Sequence, residues 1–418
     1  MTVETLPARA SLSPPAARPA ARAGVALCLL AGLLGILIPI NQYVEVSAGQ
    51  VNVSAGDVLL LPLAALLVGR WLRGRSLGYW LFGLWMVNLV AWTLSLSVLT
   101  KMIFLREVVK LVACYVYALV GFGLGCHART TAALVKGMLL AAVPIAALGI
   151  FAYFFRSPAF FIQEARVVGT FQDPNAFACY LAMVLPLATT LPLGWMAAPL
   201  FLGAGIVSFS RSGIASLASS FALTSVLAGA RRYLVVAIIS LLVLLALWGS
   251  VGGTALGLRF VKYGGTLDER KGLWALASDV SARHPILGIG KGNWEAVSGS
   301  RTLPHNTFLS LMVDTGLIGL ALFLLPLAVW LLKGARRRDA RPWAIAVLAS
   351  MVGGVAISFD NFRPFWLALG VLVARLSAPE EEVGAQSPPG ASSLPNLWEQ
   401  ESLRPRGLRR GSRWGERG

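Results

Sequence analysis

The chain has 418 residues, of which 56% are hydrophobic and only 13% charged, and its mean hydropathy is +0.71. A soluble globule of that composition would leave too much apolar surface facing water, so the sequence reads as an integral membrane protein. A formal net charge of +17 suggests nucleic-acid binding at first, but the cations sit on alternate connections between apolar runs, and that distribution is topological.

Residues 1–22 are rich in Ala, Pro and Arg and cannot bury a core, so a disordered cytoplasmic tail is expected there. The first apolar run follows Arg18 and Arg22 as a secretory signal would, but no convincing small-residue cleavage site comes after it. It therefore reads as a first transmembrane helix. Crossing a hydrocarbon layer of about 30 Å takes roughly 20 apolar residues, and in lipid each segment must satisfy its own backbone groups, which makes these runs helices. Spans are expected at 24–41, 57–70, 77–98, 107–126, 136–155, 175–192, 195–210, 212–229, 233–250, 306–332, 343–359 and 364–377. The second, seventh and twelfth are the shortest.

Arg70, Arg73 and Arg75, then Arg129 and Lys136, Arg231 and Arg232, and Lys333, Arg336, Arg337, Arg338 and Arg341 share one side with the N-terminal arginines. The positive-inside rule makes that side cytoplasmic and puts both termini there. The connections near 42–56, 100–106, 156–174, 251–305 and 360–363 then face outward. The expected fold is all-α: a polytopic transmembrane helix bundle of about 12 spans with one large, partly helical periplasmic loop. That bundle occupies 23–378, and 379–418 is expected to be a disordered basic cytoplasmic tail. The tail's arginines, interleaved with Leu403, Leu408 and Trp414, suit either anionic headgroups or plain solvation. Cys28, Cys114, Cys126 and Cys179 lie in or beside spans without paired spacing, against a disulfide framework or zinc site.

Few cations remain outside: Lys101, Arg106, Arg156, Arg166, Arg211, Arg363 and those of the long loop. Arg166 precedes "GTFQDPNAF" (169–177), where Asp173-Pro174 signals a turn and Asn175 is expected to cap the sixth span. Arg211 in "SFSRSG" is flanked by Ser208, Ser210 and Ser212. Its guanidinium either snorkels to lipid phosphates or binds a ligand phosphate, and the three hydroxyls favour the second. In the loop 251–305, "DERKGLWALASDVSARHP" (268–285) carries apolar residues at helical spacing, so an amphipathic helix is expected there.

"PHNTFLSLMVDTGLIGL" (304–320) opens the tenth span. A helix starting near His305 places Asn306, Thr307, Ser310 and Asp314 on one polar stripe facing protein, with Gly316 and Gly319 allowing another helix to approach. Asp314 lies roughly 13 Å below His305 and reads as structural or as an arginine's counter-ion. A boundary histidine is more often a packing residue, but an ordinary pKa near 6.5 also suits a general base.

Taken together, "RVVGTFQDPNAFACYLAMVLPL" (166–187), "SFSRSGIASL" (208–217), "HPILGIGKGNW" (284–294) and the stretch at 304–320 resemble the O-antigen ligase and polymerase superfamily of bacterial membrane glycosyltransferases. His305, Asn306, Gly316 and Gly319 fit the ligase pattern of His, then Asn, Ser or Gln, nine residues, Gly, two residues, Gly. The resemblance covers about residues 24 to 376. It implies transfer of a glycan from undecaprenyl pyrophosphate to an acceptor hydroxyl at the periplasmic face of the inner membrane. On that basis Arg166 and Arg211 are expected to hold the pyrophosphate and His305 to be the base. Arg270 follows as a further cation and Lys291 as a weaker phosphate candidate, with Asn306, Asn175 and Ser210 lining the substrate site. No cofactor or metal is implied: the sequence has no Asp-x-Asp pair, and only His284 and His305 of its three histidines face outward. The acceptor is lipid A core for a ligase, or a growing repeat-unit chain for a polymerase. A lipid-linked-sugar transporter or flippase is the non-enzymatic alternative, and it predicts interrupted helices with midplane polar sites.

Overall fold

The computed structural model describes residues 19–40, 46–48, 51–53, 55–71, 82–83, 85–86, 101–157, 162–163, 166–171, 173–227, 264–355 and 362–377. These form α1 (Pro19–Leu37), α2 (Ala55–Trp71), α3 (Lys101–Gly125), α4 (Ala128–Phe155), α5 (Pro174–Ala188), α6 (Ala198–Val207), α7 (Arg211–Leu227), α8 (Gly264–Arg283), α9 (Trp294–Ser298), α10 (Thr307–Arg336), α11 (Arg341–Gly354) and α12 (Arg363–Ser377). Proline sits in the first turn of α5, α6 and α11, where its missing N–H costs nothing and its fixed φ favours the helix.

The long apolar runs become helices whose outer faces stay oily. Leu29 on α1, Leu61 on α2, Leu140 on α4 and Leu325 on α10 are all exposed, as suits side chains meeting lipid tails. α4 and α10 are long and apolar enough to cross a membrane, and five further apolar helical stretches of 10–17 residues accompany them.

Inside, buried aromatics such as Tyr117, Tyr180 and Phe365 alternate with places where small residues let helix backbones meet. α12 lies along α3 so tightly that a Cβ on Gly121 would strike the Leu367 carbonyl, and one on Gly370 the Ala118 carbonyl. α5 is buried along nearly its whole length between α7 and α11. Its neighbour α7 presents Ser212, Ser216, Ser220 and Thr224, four residues apart and all buried. Ser220 Oγ donates to the Ala182 carbonyl at 2.7 Å, and Ser216 Oγ lies 3.6 Å from Cys179 Sγ. Small hydroxyls thus let the two helices touch, and those of Ser216 and Ser220 find partners across the contact. Arg363 opens α12 and donates twice to Asp57 in the first turn of α2, through Nε and Nη2, both at 2.8 Å. That bidentate pair accounts for an outward cation that the sequence left without a purpose.

Several expectations change. The span at 195–210 resolves into a 3₁₀ turn (Gly194–Ala197) and the ten-residue α6, which at 1.5 Å per residue is only about 15 Å long. α1 begins at Pro19, inside the stretch expected to be a tail. The chain is not purely helical: β1 (Val46–Ala48) pairs antiparallel with β2 (Val51–Val53), and β3 (Ile162–Gln163) with β4 (Arg166–Val167). Both ribbons fall on connections expected to face outward. The tails 1–18 and 379–418, the span at 233–250, most of 77–98 and the first part of the long loop lie outside the described residues.

The helix expected within 268–285 is α8, and it carries a small core of its own. Ala277, Val280, Trp294 and Val313 are buried together against Leu276, Ile289 and Leu309, joining α8, α9 and the start of α10. α10 itself is broken. Gly316 has φ 65° and ψ −167°, which no helix contains, and what approaches that glycine is the backbone of Ile286 and Leu287 rather than another helix.

Candidate active site at three helix N-termini

Asp173, not Asn175, caps α5. Its Oδ1 accepts from the Asn175 backbone N–H at 2.9 Å and from Asn175 Nδ2 at 2.7 Å. The extended backbone of Asp173 before Pro174 gives it the N-cap position, leaving Asn175 one step inside the helix with its side chain available for tertiary contacts. With its amide nitrogen held by Asp173, Asn175 turns Oδ1 the other way. There it accepts from Ser210 Oγ at 2.6 Å, Ser212 Oγ at 3.5 Å and Arg166 Nη2 at 3.4 Å.

Arg166, on β4, also donates from Nε to the Ser208 carbonyl at 3.1 Å. Ser210 Oγ accepts from the Gly213 N–H at 2.9 Å and so caps α7. Phe209, just before it, adopts a left-handed φ of 49° that makes the sharp turn into that helix. Arg211 is therefore the first residue of α7 and is exposed beside this network. Arg166, Asn175 and Ser210, far apart in sequence, are in direct contact.

The third N-terminus belongs to α10, which starts at Thr307, just after His305 as expected. Asn306 is its cap, accepting from Phe308 N at 3.0 Å and Leu309 N at 3.1 Å. His305 lies outside the helix at φ 48°, a conformation an L-residue rarely adopts. The Trp274 indole donates to the Pro304 carbonyl at 2.8 Å and pins the chain at the residue before His305. Arg270 is one turn earlier on α8, hence on the same face as Trp274.

His305 is solvent-accessible, yet enough protein surrounds the imidazole for burial to lower its pKa below the ordinary value, and the Arg270 cation lowers it further. Asp173 and Glu269 act in the opposite sense. The histidine at the α10 start thus feels both the Asp173 carboxylate and the Arg270 cation. Neutral at pH 7, the ring suits a proton acceptor. Three helix N-termini add the positive ends of their dipoles to Arg166, Arg211 and Arg270, and an anion is the ligand such a region favours. Asp173 and Trp274 are the members the sequence did not mark. An Asp immediately before an N1 proline, and a Trp four residues after Arg270, were the available signals.

Other residues go elsewhere. His284, just past the C-terminus of α8, is about 20 Å along the helix from Arg270. Lys291 Nζ meets Asp314 Oδ2 at 3.2 Å, so of the two expectations for Asp314, structural residue or counter-ion of an arginine, the pair fits the first. Among the described residues no group of three or more His, Cys, Asp or Glu side chains is arranged to hold a metal.

The family model described as O-antigen ligase matches residues 196–324, a stretch that holds Ser210, Arg211, Arg270, Lys291, His305 and Asn306 and ends within α10. Arg166 and Asn175 lie before it. No curated protein matches the chain.

Proposed function

We propose, from its match to the O-antigen ligase model over residues 196–324, that the chain is a membrane glycosyltransferase of the O-antigen ligase and polymerase superfamily, and that it transfers a glycan from undecaprenyl pyrophosphate to an acceptor hydroxyl at the periplasmic face of the inner membrane, as an O-antigen ligase acting on lipid A core. The proposed frame is a bundle of about 12 spans with both termini cytoplasmic. One observation carries the site: the Arg166–Asn175–Ser210 contact beside Arg211, together with a histidine that Arg270 and Asp173 both influence.

In this reading Arg166, Arg211 and Arg270 hold the pyrophosphate, while Asn175 and Ser210 fix Arg166 and the start of α7. Asn306 fixes the start of α10, which carries His305. The acceptor oxygen attacks the anomeric carbon, its proton passes to the neutral imidazole of His305, and the bond from that carbon to the pyrophosphate oxygen breaks with its electrons. Charge therefore develops on the leaving group, where fixed guanidinium groups and helix N-termini stabilise it more in the transition state than in the ground state. Attack opposite the leaving group inverts the anomeric configuration. No metal is required, because the guanidinium groups supply the positive charge.

Polymerisation of repeat units uses the same donor chemistry and differs in its acceptor. The break in α10 at Gly316 favours a transporter, since discontinuous helices line transport sites. Here, however, the opened backbone groups at 313, 314, 317 and 318 are taken by residues 285–290, not presented to a cavity. The test is reconstitution with undecaprenyl pyrophosphate glycan and lipid A core. Free undecaprenyl pyrophosphate in step with glycosylated acceptor, without added metal, supports transfer. Glycan crossing the bilayer with no bond formed refutes it.

A further inference from the structure

The loop 284–292 reads in sequence as a plain glycine turn, yet it is built into the break in α10. Ile289 N donates to the Val313 carbonyl at 2.8 Å and Gly290 N to the Asp314 carbonyl at 2.9 Å, which serves the end of the first half-helix. From the second half, Leu317 N donates to the Pro285 carbonyl at 2.8 Å and Ile318 N to the Ile286 carbonyl at 3.3 Å. Gly288 and Gly316, both with positive φ, let the backbones meet, since a Cβ on either would strike the other segment. Across this seam lies the Lys291–Asp314 ion pair, with side chains only 17% and 12% exposed. Removing one of two such poorly exposed charges costs the other its ion-pair partner, a loss larger than the pair gains by forming, so the seam is weakened by loss of either.

The seam joins the two elements that flank the proposed site. Residues 284–292 continue directly from α8, which carries Arg270 and Trp274, and residues 307–315 continue directly from His305. We propose that Lys291 and Asp314 form a latch holding residues 285–290 in the α10 break, and that this latch fixes the relative placement of Arg270 and His305. Both are positioning residues, and Lys291 is not a phosphate ligand. The inference rests on the glycosyltransfer reading for its kinetic consequence, but the seam itself is testable without it.

The groups that set the His305 environment are Arg270 and Glu269 from α8 and Asp173 from the α5 cap. Releasing the latch lets water and distance weaken the two influences that keep the ring neutral. The acid limb of the rate profile then moves to higher pH, which loss of stability alone would not cause.

The experiment uses the full chain in lipid nanodiscs with undecaprenyl pyrophosphate glycan as donor, comparing Lys291→Met, Asp314→Asn and the exchanged pair Lys291→Asp with Asp314→Lys. Expected are a fall in kcat of about tenfold in each single variant, the same change in donor KM in both, an acid limb moved upward, and partial recovery in the exchanged pair. A donor KM raised by Lys291→Met alone would overturn the latch in favour of a phosphate ligand, and unchanged kcat with an unmoved limb would overturn it outright. Hydrogen exchange on the wild-type chain decides the matter if the variants do not fold. Slow exchange at 289–290 and 317–318, rising together, supports the latch, and exchange there as fast as in exposed loops overturns it. A wild-type chain without transfer activity would refute the glycosyltransfer reading and leave the seam to the exchange result.

Discussion

Asn175 is 8% exposed and joins the α5 cap to Arg166 and to the start of α7, so Asn175→Ala is the most informative single change in the network. Two of its side-chain hydrogen bonds are short, to Ser210 Oγ at 2.6 Å and to Asp173 Oδ1 at 2.7 Å, and two are long, at 3.4 and 3.5 Å. Counting only the short pair at about 0.5–1.5 kcal/mol each gives a loss of about 1–3 kcal/mol. Ser210 keeps Gly213 N and Ser212 as partners, and Arg166 keeps the Ser208 carbonyl, so the helices should stay folded while Arg166 loses its lateral support. If that loss is felt mainly in the transition state, kcat/KM for glycan transfer falls roughly 5- to 150-fold. Asn175→Asp should be worse, because it sets a second carboxylate oxygen against Asp173 Oδ1 where an amide N–H had donated. The assay is transfer from a lipid-linked donor, with thermal unfolding measured in parallel. Wild-type kcat/KM in both variants, at unchanged stability, would refute the idea that this network holds the donor-binding arginine.

The charges around His305 give two shifts of opposite sign. A base works when unprotonated, so the acid limb of kcat/KM follows its pKa: Arg270→Gln should move the limb to higher pH and Asp173→Asn to lower pH, whatever happens to the plateau. Movement of both limbs in the same direction would exclude His305 as the titrating group. Gly316→Ala forces an L-residue into φ 65°, ψ −167° and drives its Cβ at the Ile286 carbonyl. The backbone strain alone is about 1–3 kcal/mol, and a lowered Tm in detergent is the readout. Arg363→Met leaves Asp57, 14% exposed, without its bidentate partner. A loss of about 3 kcal/mol is expected, largely recovered in the double variant with Asp57→Asn, by thermal unfolding of each protein.

The apolar runs announced most helices because lipid leaves the backbone no alternative, and α4 and α10 were legible for that reason. What composition could not reveal was the break at Gly316. A glycine in an apolar run reads as a packing surface, and only the partner loop 285–290, thirty residues earlier, makes it a break. The candidate site divided in the same way. Arg166, Arg211 and His305 were visible because cations and imidazoles are rare on the connections expected to face outward. Asp173 was hidden behind Asn175: both are good capping residues, and the choice depends on which one takes extended backbone before Pro174. Lys291 read only as a weaker phosphate candidate, and its ion pair was not legible because Asp314 lies on another element.

The central claim is that guanidinium groups bind the lipid pyrophosphate while His305 accepts the acceptor proton. The direct measurement is donor affinity beside single-turnover transfer in His305→Ala and Arg211→Ala. The account predicts that His305→Ala binds undecaprenyl pyrophosphate glycan as the wild type does but transfers none of it, whereas Arg211→Ala binds it at least tenfold more weakly. Transfer surviving in His305→Ala, or donor affinity unaltered in Arg211→Ala, would contradict it.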